Sequence, residues 1–403
     1  MPSSATLASA VDVKPRCVQL DGHASGHTAP RDPATGRYEG YLFSSTSPVY
    51  QPPRQAHENG SQKPGTVLVG NTREETVLND IVERTRQPLD RALRVYVAGH
   101  RGLVGSAIWR HLEAQGFTDL VGASSSEVDL RDRDQTFAWF DQTRPEVVID
   151  AAAKVGGILA NNSYPADFLS DNLRIQVNVM DAAKDHEVER LLFLGSSCIY
   201  PRLAEQPIRE SSLLTGALEP TNDAYAIAKI AGILQVQANR RQHGRHWISA
   251  MPTNLYGPGD NFDQQGAHVL PALIRRFHEA VESGASEVVL WGTGTPRREF
   301  LHVDDLAEAA LFLLENYDDD QTINVGVGED VTVRELAAII AAVVGYEGRI
   351  VLDPSMPDGT PRKLLDVSRI NALGWTAQIR LTDGIRTTYE WYRHNLTTAR
   401  GLQ

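Results

Sequence analysis

From Leu93 onward, short apolar runs alternate with longer segments in which apolar residues recur every three to four positions. The short runs predict strands, and the longer segments predict helices. Strands that alternate with helices are typical of a parallel sheet with right-handed crossovers. The predicted order is strand 93–99, helix 103–116, strand 120–124, helix 132–143, strand 146–153, helix 166–186, strand 190–197, helix 223–242, strand 247–254, helix 268–283, strand 287–292 and helix 304–316.

The two ends of the chain depart from this alternation. Residues 1–70 are rich in Ser, Thr, Pro, Gly and His without a sustained apolar period, so we expect disorder there, and 71–90 are compatible with one amphipathic helix. After Gly257 the connections lengthen and carry Pro, Gly and Arg. We therefore expect a low-complexity extension over 1–90, a Rossmann-type, doubly wound α/β domain that binds a nucleotide over 91–256, and mainly a smaller C-terminal α/β substrate lobe over 257–403, with some segments returning to the first sheet.

Composition narrows the range of functions. The 403 residues are 41% hydrophobic, which is enough for one large core or two cooperating ones. The net charge of -12 argues against binding nucleic acid through its phosphates. Two cysteines, Cys17 and Cys198, are too few for a disulfide framework or a multi-cysteine zinc site, and we expect no metal. Neither a membrane-length apolar run nor a signal-peptide pattern is present, so we expect a cytoplasmic protein that does not engage a membrane.

A glycine-rich turn follows the first predicted strand and opens the first helix. Its glycines, Gly99, Gly102 and Gly105, have the spacing G-x-x-G-x-x-G. Such a turn lets backbone N–H groups approach a pyrophosphate at the helix N-terminus. The spacing differs from the commoner G-x-G-x-x-G, and a glycine turn alone can be structural. Its place at the first strand-to-helix turn favours a dinucleotide site.

The end of the second predicted strand selects between the two nicotinamide cofactors. A carboxylate there would accept the ribose 2′-OH of NAD, but residues 123–126 read Ala-Ser-Ser-Ser. Arg101 in the glycine turn and the serine hydroxyls suit a 2′-phosphate, so NADP(H) is favoured. Asp129 follows a few residues later. It either caps a helix, which we favour, or reaches toward the adenine.

Tyr225 and Lys229 are four residues apart in the predicted helix 223–242, so both project from one face. A neighbouring ammonium that favours the phenolate makes a tyrosine a better proton shuttle near neutral pH. The lysine can also bind the nicotinamide ribose. Such a pair on an exposed helix usually carries no chemistry, but after a dinucleotide fold it indicates a reductase.

Three further candidates lie near predicted element ends. Ser196 and Cys198 follow the apolar strand 190–194, at the carboxyl edge where open α/β sheets bind ligands. The Ser196 hydroxyl can hold a carbonyl oxygen. Cys198 is either a small buried hydrophobic residue or a base in proton transfer. His268, at the opening of a helix, is either a cap or a second titrating group.

Taken together, these residues resemble the GDP-L-fucose synthase family of the extended short-chain dehydrogenase/reductases. The resemblance runs from about Arg94 to about Tyr392. It rests on seven segments in order, VAGHRGLVGSA, AAAKVGGILANN, LLFLGSSCIYP, LEPTNDAYAIAKIAG, MPTNLYGPGDNF, RREFLHVDD and PDGTPRKLLD. It implies one active site that epimerises GDP-4-keto-6-deoxy-D-mannose at C3 and C5 and then reduces C4 with NADPH, giving GDP-L-fucose.

The resemblance implies a role for each site residue. Tyr225, tuned by Lys229, would protonate O4 and stabilise the enolate, and Ser196 would hydrogen-bond the same oxygen. Cys198 would be the base and His268 the acid, because inversion needs proton transfer on both faces of the ring. The implied cofactor-binding residues are Gly99, His100, Arg101, Gly102, Leu103, Val104, Gly105, Ser125, Leu194, Gly195, Ser196, Ser197, Lys229, Pro252, Thr253, Asn254, Leu255 and His268. The implied substrate-binding residues are Arg276, Trp291, Arg298, Asp358 and Lys363. A homodimer through helices 166–186 and 223–242 is also implied.

The chain departs from the family pattern at two positions of the site. Ser125 stands where members carry an arginine, which leaves the phosphate grip to Arg101 and serine donors, and Ala267 replaces a serine before His268.

Two other functions remain open. One is another nucleotide-sugar epimerase or dehydratase of the same fold, and the other is a non-catalytic NADP-binding sensor or scaffold. A sensor needs the glycine turn but not the proton shuttle, so Ser196, Tyr225 and Lys229 argue against it.

Overall fold

The computed structural model describes residues 88–263, 266–356 and 358–401. The disorder expected for 1–70, and all but the end of the helix expected over 71–90, lie outside these residues, as does Cys17. Within the described part of the chain, no helix is long and apolar enough to cross a bilayer.

The described chain alternates strands and helices through its first half, as predicted. The strands are β1 (Arg94–Ala98), β2 (Asp119–Val121), β3 (Val147–Asp150), β4 (Arg190–Leu194), β5 (His246–Pro252), β6 (Asn254–Tyr256), β7 (Glu287–Trp291), β8 (Arg297–Arg298), β9 (Phe300–His302), β10 (Ile323–Val325), β11 (Val331–Thr332), β12 (Arg349–Asp353) and β13 (Arg362–Lys363). The helices are α1 (Leu103–Ala114), α2 (Arg133–Thr143), α3 (Ile158–Ser163), α4 (Pro165–Asp185), α5 (Asp223–His243), α6 (Val269–Ser283), α7 (Val303–Asn316), α8 (Val333–Val344), α9 (Ser368–Ala372) and α10 (Leu381–His394).

Six parallel strands form the central sheet in the order β10-β5-β4-β3-β1-β2. The chain runs from β1 outward to β2 and then returns to β3 on the other side of β1. The strand order therefore reverses between β1 and β3. In open α/β sheets, ligands bind in the crevice at the carboxyl ends of the strands at such a reversal. The predicted Rossmann-type, doubly wound parallel sheet is confirmed.

The buried apolar side chains of the described residues form two clusters. The first surrounds the central sheet, where β1, β3, β4 and β5 are buried almost throughout, as expected for parallel strands covered on both faces. The second packs α6, α8 and α10 together around Phe262, Phe277, Ile340 and Tyr392. It accompanies the pairs β7–β12 and β6–β9 and the small sheet β11-β8-β13. A smaller C-terminal α/β lobe is thus present, while β10 pairs with β5 in the first sheet.

The start of α2 corrects one expectation. Its N-cap is Asp132, whose carboxylate accepts a hydrogen bond from the backbone N–H of Gln135 at 3.1 Å. Asp129 instead accepts from the backbone N–H of Arg131 at 3.0 Å and forms an ion pair with the Arg131 guanidinium. The favoured interpretation of Asp129 as the cap is wrong, because a cap must stand immediately before the first helical residue.

Candidate active site

The glycine turn lies at the strand-order reversal, and two of its glycines, Gly99 and Gly105, leave no room for a Cβ. Gly99 has a φ of 77°, which favours glycine, and a Cβ there would lie 2.9 Å from the carbonyl oxygen of Ala151. A Cβ on Gly105 would collide with the backbone of Gly99. Gly102 precedes α1 without any side-chain cap bond. The N-terminal N–H groups of α1 are therefore open to a diphosphate, and the turn fits a dinucleotide.

A second turn, which follows β2, lies close to the Arg101 side chain. The Arg101 guanidinium lies 3.9 Å from the Glu127 carboxylate, and both side chains are exposed. Glu127 accepts hydrogen bonds from the hydroxyl and the backbone N–H of Ser124, which hold its pKa below its usual value. Ser125 is exposed in the same turn. Arg101 thus reaches the expected region. The strand-end pattern does not reveal Glu127, because a turn separates it from β2.

The remaining predicted cofactor residues share one sheet edge. Leu194 ends β4, and Gly195 and Ser197 follow it; Gly195 donates its N–H to the carbonyl of Ala250 at 2.9 Å. Pro252 ends β5, and the Asn254 amide donates to the carbonyl of Glu299 at 2.7 Å. The structure therefore brings the ends of β4 and β5 to the edge that carries the glycine turn.

Ser196 links two of the predicted reacting groups. Its hydroxyl accepts a hydrogen bond from the backbone N–H of Cys198 at 3.2 Å and lies beside the phenol of Tyr225. Burial raises the pKa of Tyr225, and a charge on Cys198 raises it further, while the Ser196 hydroxyl lowers it. Tyr225 is therefore protonated at neutral pH and can act as a proton donor.

Lys229 lies buried behind this group, with 3% of its surface exposed. Its Nζ donates a hydrogen bond to the carbonyl of Leu194 at 2.8 Å. Besides burial, Cys198 and Ser196 are groups that shift the pKa of the Tyr225 phenol. The carbonyl of Leu194 holds the Lys229 ammonium, and the action of this ammonium on the phenol stays a prediction.

Cys198 has the surroundings of a thiolate. Its Sγ lies 3.4 Å from Nζ of Lys363. Burial raises the pKa of Cys198, but the Lys363 ammonium, the Ser196 hydroxyl and the Asn222 side chain lower it, and the result is a pKa below the usual value. A thiol that only fills space would not face a cation, so the proton-transfer interpretation is favoured over the inert one.

Asn222 is a neighbour of Cys198 that the sequence pattern marks only as a helix start. It precedes α5 but makes no side-chain cap bond, and its Oδ1 is buried without a hydrogen-bond partner among the described residues. Its side chain contacts the thiol instead. An asparagine at a helix start is normally read as a cap, and no local pattern signals this contact.

His268 precedes α6, yet its side chain makes no cap bond. Surrounding protein atoms and the Lys363 ammonium both lower the pKa of His268, so it is neutral at neutral pH. The backbone N–H of Gly157 donates to the carbonyl of Gly266 at 3.1 Å and fastens this segment to the loop after β3. Cys198 and His268 therefore share Lys363 as a neighbouring charge.

The predicted substrate residues form two groups. Arg298 and Lys363 lie opposite each other on β8 and β13, and Arg298 is close enough to Cys198 and Asp358 to interact with their charges. The Arg276 guanidinium lies 5.8 Å from the ring centroid of Trp291, which is 60% exposed. Both groups offer cations to an anionic ligand.

Asp358 stabilises the loop after β7. Its carboxylate accepts hydrogen bonds from the backbone N–H and the hydroxyl of Thr293 at 2.7 and 2.8 Å. In the described structure this carboxylate therefore holds a loop beside the exposed Trp291.

Comparison with known proteins gives consistent matches. The sequence profile of the NAD dependent epimerase/dehydratase family matches residues 95–326. The chain is 59% identical over 307 residues to GDP-L-fucose synthase 1 of Arabidopsis thaliana, covering 76% of this chain and 95% of that protein. It is 55% identical over 317 residues to GDP-L-fucose synthase of Escherichia coli K12, covering 76% and 99%. A crystal structure of a GDP-L-fucose synthetase from Naegleria fowleri bound to NADP superposes with a TM-score of 0.74 at 30% identity, covering 78% of this chain and 97% of that one.

Proposed function

The chain belongs to the NAD dependent epimerase/dehydratase family and, within it, to the GDP-L-fucose synthases, and on this premise we propose how its residues divide the reaction. The protein is an enzyme with epimerase and NADPH-dependent reductase activity that converts GDP-4-keto-6-deoxy-D-mannose to GDP-L-fucose. NADP(H) is the cofactor, and when bound it supplies the hydride for C4. The glycine turn and Arg101 are the residues that would hold its phosphates.

A C4 ketone acidifies the C–H bonds at both C3 and C5, so a base can remove either proton. Inversion at that carbon then requires an acid that returns a proton to the opposite face. In our proposal the Cys198 thiolate removes the proton at C3 or C5, and His268, protonated from solvent before the step, returns a proton to the same carbon on the opposite face. Cys198 then gives its proton up to solvent. The Lys363 ammonium, 3.4 Å from Cys198, favours the thiolate. Burial and the same charge lower the pKa of His268, so its imidazolium is the minor form at neutral pH but a stronger acid than an unperturbed one.

Reduction requires a proton for O4 as the hydride arrives. Tyr225 supplies it, and burial keeps this phenol protonated beforehand. The Ser196 hydroxyl hydrogen-bonds the same oxygen and stabilises negative charge there during both stages. The observation that carries this proposal is the position of Ser196, which contacts the Cys198 backbone and the Tyr225 phenol at once.

The two apolar clusters support a division of binding. We assign NADP(H) to residues 91–256, which contain the glycine turn, and the GDP-sugar mainly to 257–403. Arg298 and Lys363 are placed beside Cys198, where they can bind the anionic part of the substrate near the reacting ring. Arg276 and Trp291 offer a cation and an exposed aromatic face farther along the same lobe.

The activity test is direct. NADPH absorbance should fall when GDP-4-keto-6-deoxy-D-mannose is added, and NMR should identify GDP-L-fucose as the product. Oxidation of NADPH to a product that keeps the original configuration at C3 and C5 would contradict the epimerase assignment. No oxidation with either NADPH or NADH would contradict the reductase assignment and favour a cofactor sensor.

A homodimer that acts in the cytoplasm completes the proposal. Helices α4 and α5 expose Val177, Ile227 and Leu234 at 39%, 46% and 44%, a set of apolar side chains that a two-fold partner would cover. Sedimentation should give twice the chain mass for the wild type and the monomer mass for Leu234→Glu. A wild-type monomer would refute the pairing.

The low cysteine content supports a reducing compartment.

A further inference from the structure

Asp150 is a buried carboxylate that neither proton transfer nor hydride transfer, as described above, involves. It ends β3 and has 0% of its surface exposed. Its Oδ1 accepts a hydrogen bond from the backbone N–H of Ala152 at 3.2 Å, whereas Oδ2 has no hydrogen-bond partner among the described residues. A buried carboxylate with an unpaired oxygen is unfavourable unless a positive charge lies nearby.

The positive charge near Asp150 is Lys229. In the sheet, Asp150 is in register with Phe193 of β4. The Nζ of Lys229 lies 4.7 Å from the centroid of the Phe193 ring and donates to the carbonyl of the next residue, Leu194. The carboxylate and the ammonium therefore lie near the ends of two adjacent strands, and both are buried.

A titratable group of a third strand also lies close to Asp150. Tyr96 approaches from β1, and burial and Asp150 both raise its pKa, so it stays neutral. The β4 neighbour, Phe193, is apolar. Burial raises the pKa of Asp150 and the Lys229 charge lowers it, and the net value is about 6. Burial lowers the pKa of Lys229 and the Asp150 charge raises it, and the net value is about 8. Each group therefore favours the charged form of the other.

We propose that Asp150 is the buried counter-charge that keeps Lys229 in its ammonium form, and that it is a positioning residue for the reductase site. This inference rests on the proposed reductase function and on the role that the sequence predicts for Lys229, binding the nicotinamide ribose. An ammonium donates hydrogen bonds to ribose hydroxyls and carries positive charge toward the reaction, whereas a neutral amine does so more weakly. Without Asp150, burial alone acts on Lys229, and the neutral amine prevails at lower pH.

The first test is the Asp150→Asn variant, which keeps shape and removes charge. The alkaline limb of kcat/KM for NADPH oxidation should move to lower pH by about 1 to 3 units. The Kd for NADP⁺, measured by fluorescence across the same pH range, should rise along the same curve. The matched control is Asp305→Asn, which removes another buried carboxylate, one that accepts from the backbone N–H groups of Gln378 and Ile379. The control should lower stability and leave the limb in place. A folded Asp150→Asn enzyme with the wild-type limb would overturn the proposal.

A second test applies if the single variant Asp150→Asn does not fold. Lys229→Met leaves the carboxylate unpaired in the interior, so adding Asp150→Asn to it should raise the urea midpoint of unfolding. A double variant no more stable than Lys229→Met would refute the counter-charge. Wild-type activity in Lys229→Met would instead refute the role of Lys229, so the two failures are distinguishable.

Discussion

Two of the three proposed proton-transfer groups, Cys198 and Tyr225, have pKa values that are shifted in opposite directions. Around Cys198, the Lys363 ammonium and polar neighbours overcome burial and lower the pKa. Around Tyr225, burial prevails and raises the pKa. A base must lose its proton before the reaction, and an acid must keep it, so a cation beside the thiol and a desolvated phenol suit the two tasks. Ser196 contacts both groups and joins them into one site.

The largest effect should follow removal of the shared acid. Tyr225→Phe should reduce both reduction and epimerisation roughly 100- to 10,000-fold, because the same phenol stabilises the enolate and protonates O4. NADPH oxidation reports reduction, and deuterium uptake from solvent at C3 and C5 reports epimerisation. A variant that loses reduction but exchanges deuterium at the wild-type rate would show that the phenol serves one task alone.

Removing the base should separate the two halves of the reaction. Cys198→Ser should lower deuterium uptake at C3 and C5 roughly 100- to 10,000-fold, because a hydroxyl is a far weaker base than a thiolate. Reduction should continue at a measurable rate and yield a sugar that keeps its original configuration, identified by NMR. Equal loss of both activities would contradict the assignment of Cys198 to epimerisation.

A smaller effect should follow loss of the cation. Lys363→Met removes the charge that favours the thiolate, so the pKa of Cys198 should rise and epimerisation near neutral pH should fall about tenfold for each unit of rise. The activity should recover as the pH increases, and the rate of Cys198 alkylation by iodoacetamide should follow the same curve. Lys154→Met, which removes a half-buried lysine paired with Asp171, is the matched control. An unchanged alkylation profile would show that Lys363 binds substrate without tuning the thiol.

The parallel sheet was predictable because its strands are buried on both faces and appear as short apolar runs between helical periods. The small sheet of the C-terminal lobe was not, since β8 and β13 consist of Arg297–Arg298 and Arg362–Lys363, which carry no apolar pattern. Helix α6 and strand β7 of this lobe were predicted, and helix α8 could have been. Thr332 and Glu335 form a capping box that a local reading can find, yet it was not among the predicted helices.

The candidate residues follow the same division. The glycine turn, the pair Tyr225 and Lys229, and the Ser196–Cys198 segment are local patterns, so the amino-acid order alone identifies them as candidates. Their protonation states are not local. Burial and charge decide a pKa, and both arise when distant segments pack together.

By itself the sequence determined the order of elements, the turn that can approach a diphosphate and the residue types available for proton transfer. Only the tertiary structure placed Lys363 beside Cys198, 165 residues away in the chain, and Lys229 behind the strand end that carries Asp150. Local patterns depend on backbone geometry over a few residues. Contacts between strand ends depend on which strands are neighbours in the sheet, and the chain settles that only when it folds.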